Sequence, residues 1–138
     1  MVAAHVQFTT DGMSQPAGMG DFLLLSPDGT HQIEIIYEGE PPHGDSYHRV
    51  VIDGVVFPGY AWGCNFAFSQ SSDLAVFSWM PKLLERRTVV VDLEARKYFL
   101  LPEYIYDFRF QWPSIVGVGK LASGKQFTFT GGEQWTAY

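Results

Sequence analysis

The sequence of 138 residues contains a single cysteine, Cys64. An internal disulfide is therefore impossible, and this cysteine usage is typical of a reducing compartment. No apolar run approaches the ~18 residues of a membrane-spanning helix, and the start, MVAAHVQFTTDG, has no basic leader. These absences predict a soluble, cytoplasmic protein that makes no membrane contact.

Basic residues are also scarce, with nine Lys and Arg against 15 Asp and Glu and a formal net charge of −6. The first 60 residues hold eight acids and one base, Arg49, whereas the remainder is close to neutral. Nucleic-acid binding needs basic residues that displace counterions from phosphates, so the composition argues against a nucleic-acid partner. An acidic half favours a basic protein partner, whose approach it would accelerate. The alternative is that these acids only keep the chain in solution.

Motifs of catalysis are missing as well. There is no Gly-x-Ser-x-Gly elbow, and GKLASGKQ at 119–126 lacks both the spacing and the hydroxyl residue of a phosphate-binding loop. The strand-like KQFTFT follows where such a loop requires a helix. Cys64 alternates with aromatic residues, which predicts a small buried side chain rather than a nucleophile. We therefore predict a non-enzymatic protein with no cofactor.

Helical periodicity is absent, and short alternating runs separated by turn residues fill the chain. They predict strands at 3–9, 21–25, 31–38, 48–57, 62–69, 73–79, 87–93, 97–101, 104–111, 114–121 and 125–130. Tight turns are predicted at Ser26-Pro-Asp-Gly29 and Ala122-Ser-Gly-Lys125. The length fits one domain. The prediction is a single all-β domain over 1–138, an antiparallel sandwich or barrel-like fold built from consecutive hairpins.

Aromatic residues, at 16%, are abundant. The stretch YIYDFRFQW at 104–112 places a ring at every second position, which indicates one face of a strand. We expect its inner rings to lie in a core and the terminal Tyr104 and Trp112 to be more exposed. Asp107 and Arg109 would share the opposite face and form an ion pair.

A strand, a polar turn and a second strand recur along the chain. LLLSPDGTHQIEI begins at Leu23, FAFSQSSDLAVFS at Phe66 and FRFQWPSIVGVGK at Phe108, at spacings of 43 and 42 residues. With TVVVDLEARKYFLL, this pattern resembles the WD40-type β-propeller family and implies blade-like repeats of about 43 residues. The Gly-His and Trp-Asp dipeptides of that family are absent, and three units are fewer than the usual four to eight blades. A sandwich or barrel of hairpins is therefore the favoured prediction.

The loop GEPPHGDSY at 39–47 is the candidate site. Its acids, its prolines and an amphipathic tyrosine are typical of a protein-docking surface. The predicted partner-binding residues are Glu38, Glu40, His43, Asp45 and Tyr47. The same loop could instead be plainly solvated, or could use His43, Asp45 and His48 as ligands of a divalent metal, although their spacing matches no metal signature. No metal is predicted.

The leading functional hypothesis is a protein-binding domain that engages a basic partner. In size and charge the chain is similar to bacterial toxin-immunity proteins, small acidic domains that occlude a toxin's active site. That likeness implies an inhibitor. The alternative is a small-molecule-binding barrel or sandwich, with an aromatic pocket lined by Tyr104, Tyr106, Phe108 and Trp62. A third possibility is a metal-dependent enzyme that uses the histidines of the 39–48 segment.

Overall fold

Thirteen β-strands and no helix form the part of the chain that the structure, a computed structural model, describes: residues 4–16, 20–40, 46–82 and 85–138. The side chains of Pro16 and Cys64 also lie outside this description. The strands are β1 Ala4–Gln7, β2 Gln15–Pro16, β3 Phe22–Leu25, β4 Gln32–Gly39, β5 Tyr47–Ile52, β6 Val55–Phe68, β7 Leu74–Met80, β8 Arg87–Asp92, β9 Lys97–Leu100, β10 Phe108–Gln111, β11 Ser114–Gly117, β12 Gln126–Thr128 and β13 Thr136–Ala137. The all-β prediction is confirmed. None of the described residues belongs to a helix of the length and apolarity needed to cross a bilayer.

The strands form two sheets. The larger has ten strands in the order β1-β3-β4-β5-β6-β7-β8-β9-β13, with β2 paired to β6, and the smaller has the order β10-β11-β12. Every pairing is antiparallel except the parallel pair of β1 and β3. The hairpins are consecutive, as expected, and the sheets do not close. The arrangement is consistent with a sandwich-like fold.

Turn chemistry fixes several of these hairpins. Gly29 donates its N–H to Ser26 O at 2.9 Å and has φ +75°, as the Ser26–Gly29 turn requires. Asp53 and Gly54 both have positive φ, which matches the right-handed twist of a two-residue hairpin. The predicted single strand over 48–57 is therefore wrong, because this turn divides it into the end of β5 and the start of β6.

The long strand β6 joins the two halves of the large sheet. Its first part pairs with β5 from Val55 to Trp62, and its last part pairs with β7 up to Phe68. The register shifts between Ala61 and Phe66, and Gly63 has φ +73° in this interval. Bulges of this kind let one strand bend from one packing layer into the next.

The large sheet coils around a first hydrophobic core. Phe57 on β6 and Tyr98 on β9 are three strands apart in sheet order, yet their ring centroids are 5.4 Å apart. At the other side of the core the rings of Phe8 and Phe68 meet edge to face at 4.9 Å. The inward residues of β3 to β8 fill the space between, including the fully buried Ile35.

A second core lies on the outer face of β6 to β9. Val76 and Val90 point away from the first core and pack with Phe108, Phe110 and Ile115 of the three-stranded sheet. Strands β7 and β8 are therefore covered on both faces, which explains their continuous apolar sequence. Among the described residues, the three-stranded sheet does not extend over the outer face of β3 to β5, where Arg49 is exposed.

The stretch YIYDFRFQW is only partly a strand. Phe108 and Phe110 are buried and Trp112 is 62% exposed, as predicted. Before Phe108 the alternation fails: Ile105 is buried, with its N–H donated to the Thr88 hydroxyl at 2.8 Å, and Tyr106 is 40% exposed. The predicted strand over 104–111 therefore begins only at Phe108, because a buried side chain replaces the neighbouring strand as hydrogen-bond partner.

The recurrence at 43 and 42 residues corresponds to three hairpins, β3–β4, β6–β7 and β10–β11. The first two belong to one continuous sheet and the third to the smaller sheet. Propeller-like repeats are not confirmed by this topology.

Candidate functional site

The described members of the predicted docking set, Glu38, Glu40 and Tyr47, lie where β4 ends and β5 begins. Tyr37 and Glu38 belong to the end of β4, Glu40 directly follows that strand, and Tyr47 begins β5. His43 and Asp45 lie outside the described residues. We call the group formed by Tyr37, Glu38, Glu40, Tyr47 and Tyr60 the tyrosine–acid surface. Sequence reasoning missed Tyr37 and Tyr60, although Tyr37 directly precedes the predicted acids.

Hydrogen bonds position the acids of this surface. Tyr37 donates its hydroxyl to Glu40 Oε1 at 3.3 Å, and its N–H to Asp21 Oδ1 at 2.9 Å. Partial desolvation and the neighbouring Glu40 carboxylate raise the pKa of Tyr37. Glu38 forms an ion pair with Arg49, with Oε1 and the guanidinium nitrogen 3.0 Å apart. Glu38 is therefore neutralised locally, whereas Glu40 and Asp21 keep the surface acidic.

The tyrosines pack into a fixed arrangement. The rings of Tyr47 and Tyr60 meet edge to face at 5.2 Å, and Tyr37 meets His48 edge to face at 5.9 Å. Gly39 packs against the Tyr47 ring, where an added Cβ would be in van der Waals contact at 3.4 Å. Ordered tyrosines lose little conformational entropy on binding, so this surface is organised in advance.

A shallow hollow adjoins Tyr60. Its volume is about 350 Å³, and its walls include the apolar side chains of Val56, Pro58 and Pro81 as well as Arg49, which is paired with Glu38. Val56 is 65% exposed although it lies in a strand. An open apolar hollow beside ordered aromatic rings is the geometry in which interfaces seat an anchoring side chain.

His48 is not displayed on this surface. The residue is fully buried and its Nε2 bonds to Gly20 O at 2.9 Å, while its Nδ1 has no partner among the described residues. Burial lowers the pKa of His48, and the Gly20 contact only partly offsets this. Of the suggested metal ligands, it is the only one whose position is described. No cluster of three metal-ligating side chains occurs in the described parts of the chain.

A second polar group centres on His31. Its Nδ1 is 2.6 Å from Asp53 Oδ2, and its Nε2 is 2.8 Å from Glu94 Oε1. Burial disfavours the charged ring, but the two carboxylates outweigh that cost and raise the pKa of His31. The cluster joins three turns that are distant in sequence: those after β3, β5 and β8. The buried His31 ring, with both nitrogens satisfied, suits a structural clamp.

The residues of the predicted aromatic pocket occupy separate environments. Phe108 is fully buried in the second core, and Tyr104 bonds through its hydroxyl to Ser78 at 3.1 Å. Trp62 is buried beneath Arg86, whose guanidinium carbon lies 4.5 Å from the ring centroid. Tyr106 is exposed. Phe108 is therefore not available to line an open pocket.

Comparisons of the chain with protein-family models, with curated proteins and with solved structures found no match.

Proposed function

We propose that the protein is a non-enzymatic binding domain whose tyrosine–acid surface engages a basic protein partner. The observation that carries this proposal is the hydrogen bond between Tyr37 and Glu40 at the end of β4, together with the ring pair of Tyr47 and Tyr60 on the adjoining strands β5 and β6. A carboxylate beside an aromatic ring suits a lysine or arginine. The carboxylate accepts charge-assisted hydrogen bonds, and the ring face attracts the cation.

The apolar hollow complements this chemistry. An interface needs a desolvated anchor near its centre as well as charges at its rim. The hollow beside Tyr60 would take an apolar side chain, and Glu40 would contact a basic residue of the same partner. The net charge of −6 would steer the partner toward the molecule. A partner that acts through a basic active site, such as a bacterial toxin, would be inhibited by occlusion.

Affinity capture with matched variants tests the proposal. The wild-type chain, Glu40→Lys, Tyr47→Ala and the control Glu103→Lys are immobilised and exposed to lysate of the native host, then washed at low and high salt. Glu103 is exposed, so its reversal changes the net charge as much as Glu40→Lys does while leaving the surface intact.

We expect one basic protein to be captured in stoichiometric amount by the wild type and the control, and to be lost from the Glu40 and Tyr47 variants. Release of the partner at high salt would show that electrostatic attraction contributes to binding. Equal capture by all four proteins would remove the tyrosine–acid surface from the proposal. Circular dichroism of each variant verifies that the fold is retained.

A further inference from the structure

Trp112 is an exposed ring on a firmly held hairpin tip. It lies between the paired residues Gln111 and Ser114 that close β10 and β11. Its ring stacks on Phe129 at 5.4 Å and an interplanar angle of 24°. The Phe129 N–H donates to Pro113 O at 2.8 Å, which ties the tip to the segment after β12. One face of the indole is therefore supported from behind, and the side chain remains 62% exposed.

A cleft of about 330 Å³ opens beside this ring. Its volume is at the small end of the ~300–1,000 Å³ typical of ligand pockets. The polar residues of its lining are Thr10, Asp11, Gln70, Arg109 and Gln111. They come from three segments: the loop after β1, the turn between β6 and β7, and β10. We call this site the Trp112 cleft.

The wall of the cleft is held by close backbone packing. Phe110 donates its N–H to Gly12 O at 2.8 Å, and a Cβ on Gly12 would lie only 2.2 Å from Phe110 O. Gly12 also has φ +73°, so glycine is required at this approach. Arg109 Nε donates to Asp11 O at 3.1 Å. The loop after β1 is thereby fixed against β10, and the cleft exists before any ligand binds.

Charge inside the cleft is balanced. Hydrogen bonds from the Met13 N–H and the Thr9 hydroxyl lower the pKa of Asp11, so its carboxylate is ionised at neutral pH beside the Arg109 guanidinium. The amides of Gln70 and Gln111 have no hydrogen-bond partner among the described residues, and both residues are exposed to solvent. The site offers planar donors and acceptors without a net charge.

We propose that the Trp112 cleft binds a neutral carbohydrate. A sugar ring presents one face of C–H groups, which packs on an aromatic face, and an edge of neighbouring hydroxyls that donate and accept together. Amide, carboxylate and guanidinium groups each offer two polar atoms in one plane, which suits such pairs of hydroxyls. The Trp112 ring supplies the stacking face, and the glutamines, Asp11 and Arg109 supply the polar edge.

A nucleotide would also stack on Trp112, but its phosphate fits the cleft poorly. Arg109 is the only cation among the lining residues, and Asp11 lies beside it. A dianionic phosphate would meet that carboxylate without a second positive charge to offset it. The balanced charge therefore favours an uncharged, hydroxyl-rich ligand.

Nuclear magnetic resonance titration tests this assignment. The labelled full chain is titrated with methyl glycosides of glucose, galactose, mannose and N-acetylglucosamine, with their disaccharides, and with adenosine monophosphate as the anionic stacking probe. We expect at least one neutral sugar to shift the Trp112 indole N–H saturably. Trp112→Ala should weaken the binding of that sugar by about tenfold or more, because stacking and apolar contact are lost. Gln111→Ala, which keeps the ring, should weaken it by about threefold to tenfold.

Tyr37→Ala provides the matched control, because it removes an exposed ring at the other surface. It should leave sugar binding unchanged, whereas Trp112→Ala should leave capture of the basic partner unchanged. The two proposals therefore fail separately. No saturable shift with any sugar, binding of adenosine monophosphate alone, or sugar binding that survives Trp112→Ala would each overturn the assignment.

Discussion

Replacement of Phe57 by alanine tests the packing that holds the coiled sheet together. The Phe57 ring is almost fully buried, at 1% exposure. It meets four other rings, those of Phe77, Trp79, Tyr98 and Tyr138, at centroid distances of 5.9, 5.7, 5.4 and 4.8 Å. These partners come from β7, from β9 and from the C-terminal residue, so one side chain connects elements across the whole first core.

The expected cost is large. Truncation of a core phenylalanine to alanine destabilises proteins by ~3–5 kcal/mol. Edge-to-face ring pairs contribute ~0.5–1.5 kcal/mol each beyond area burial, so four of them place Phe57 at least at the middle of that range. A loss of ~4 kcal/mol would be a large part of the ~5–15 kcal/mol that stabilises a typical domain. With a urea m-value of ~2 kcal/mol/M, the unfolding midpoint would fall by ~2 M.

Urea unfolding monitored by fluorescence and circular dichroism measures this loss. Val56→Ala is the matched control, because Val56 is the adjacent residue of the same strand and points to solvent on the opposite face. We expect that variant to change the free energy of unfolding by less than ~0.5 kcal/mol. Equal costs for the two variants, or a cost below ~2 kcal/mol for Phe57→Ala, would refute the packing that we describe.

Two further predictions concern the His31 cluster and Gly59, a tightly packed glycine. Burial disfavours the charged ring of His31, but the hydrogen bonds that the ring donates to the Asp53 and Glu94 carboxylates raise its pKa. The stabilisation from these bonds is therefore fully present below the unfolded pKa of ~6.5 and is lost as pH rises through the folded pKa. Urea unfolding should show that the difference in free energy of unfolding between wild type and His31→Gln narrows from about pH 6 to about pH 9. A difference that widens with pH would contradict the raised pKa of His31. Gly59→Ala should cost at least ~1–3 kcal/mol, because its φ is +69° and a backbone carbonyl lies 2.5 Å from the added Cβ. Thermal melting should show a smaller loss of stability for Gly29→Ala, where φ is +75° but no atom lies within 4 Å of the added Cβ. Equal losses of stability in the two variants would argue against a clash at Gly59.

Local patterns predicted the fold class and most strands. The alternation and the β-branched run at 87–93 indicated β8, and the sequence around Gly29 indicated a turn that the structure confirms. The Asp53-Gly54 dipeptide carried a hairpin signal that the continuous strand prediction overlooked. The aromatic alternation predicted a strand that begins at 104, whereas β10 begins at Phe108, because the Thr88 hydroxyl takes the hydrogen bonds of Ile105.

Long-range contacts could not be predicted. Strand β6 bends between two layers, and only the glycines within it, such as Gly63, hinted at that bend. The His31 cluster joins residues 22 and 63 positions apart in the chain, which no spacing rule relates. Trp112 was expected near the surface, but the polar residues of its cleft come from three separate segments. The acids at 38 and 40 were predicted as docking residues, and that function stays a prediction.

The measurement that tests the central claim most directly is the association rate constant with the captured basic partner, determined by stopped-flow fluorescence over a range of salt concentrations. If the tyrosine–acid surface is the docking site, Glu40→Lys will slow association and flatten its salt dependence, and Tyr47→Ala will mainly accelerate dissociation. Glu103→Lys will leave dissociation unchanged. A Glu40→Lys chain that associates as fast as the Glu103→Lys chain, with the same salt dependence, would contradict the proposal.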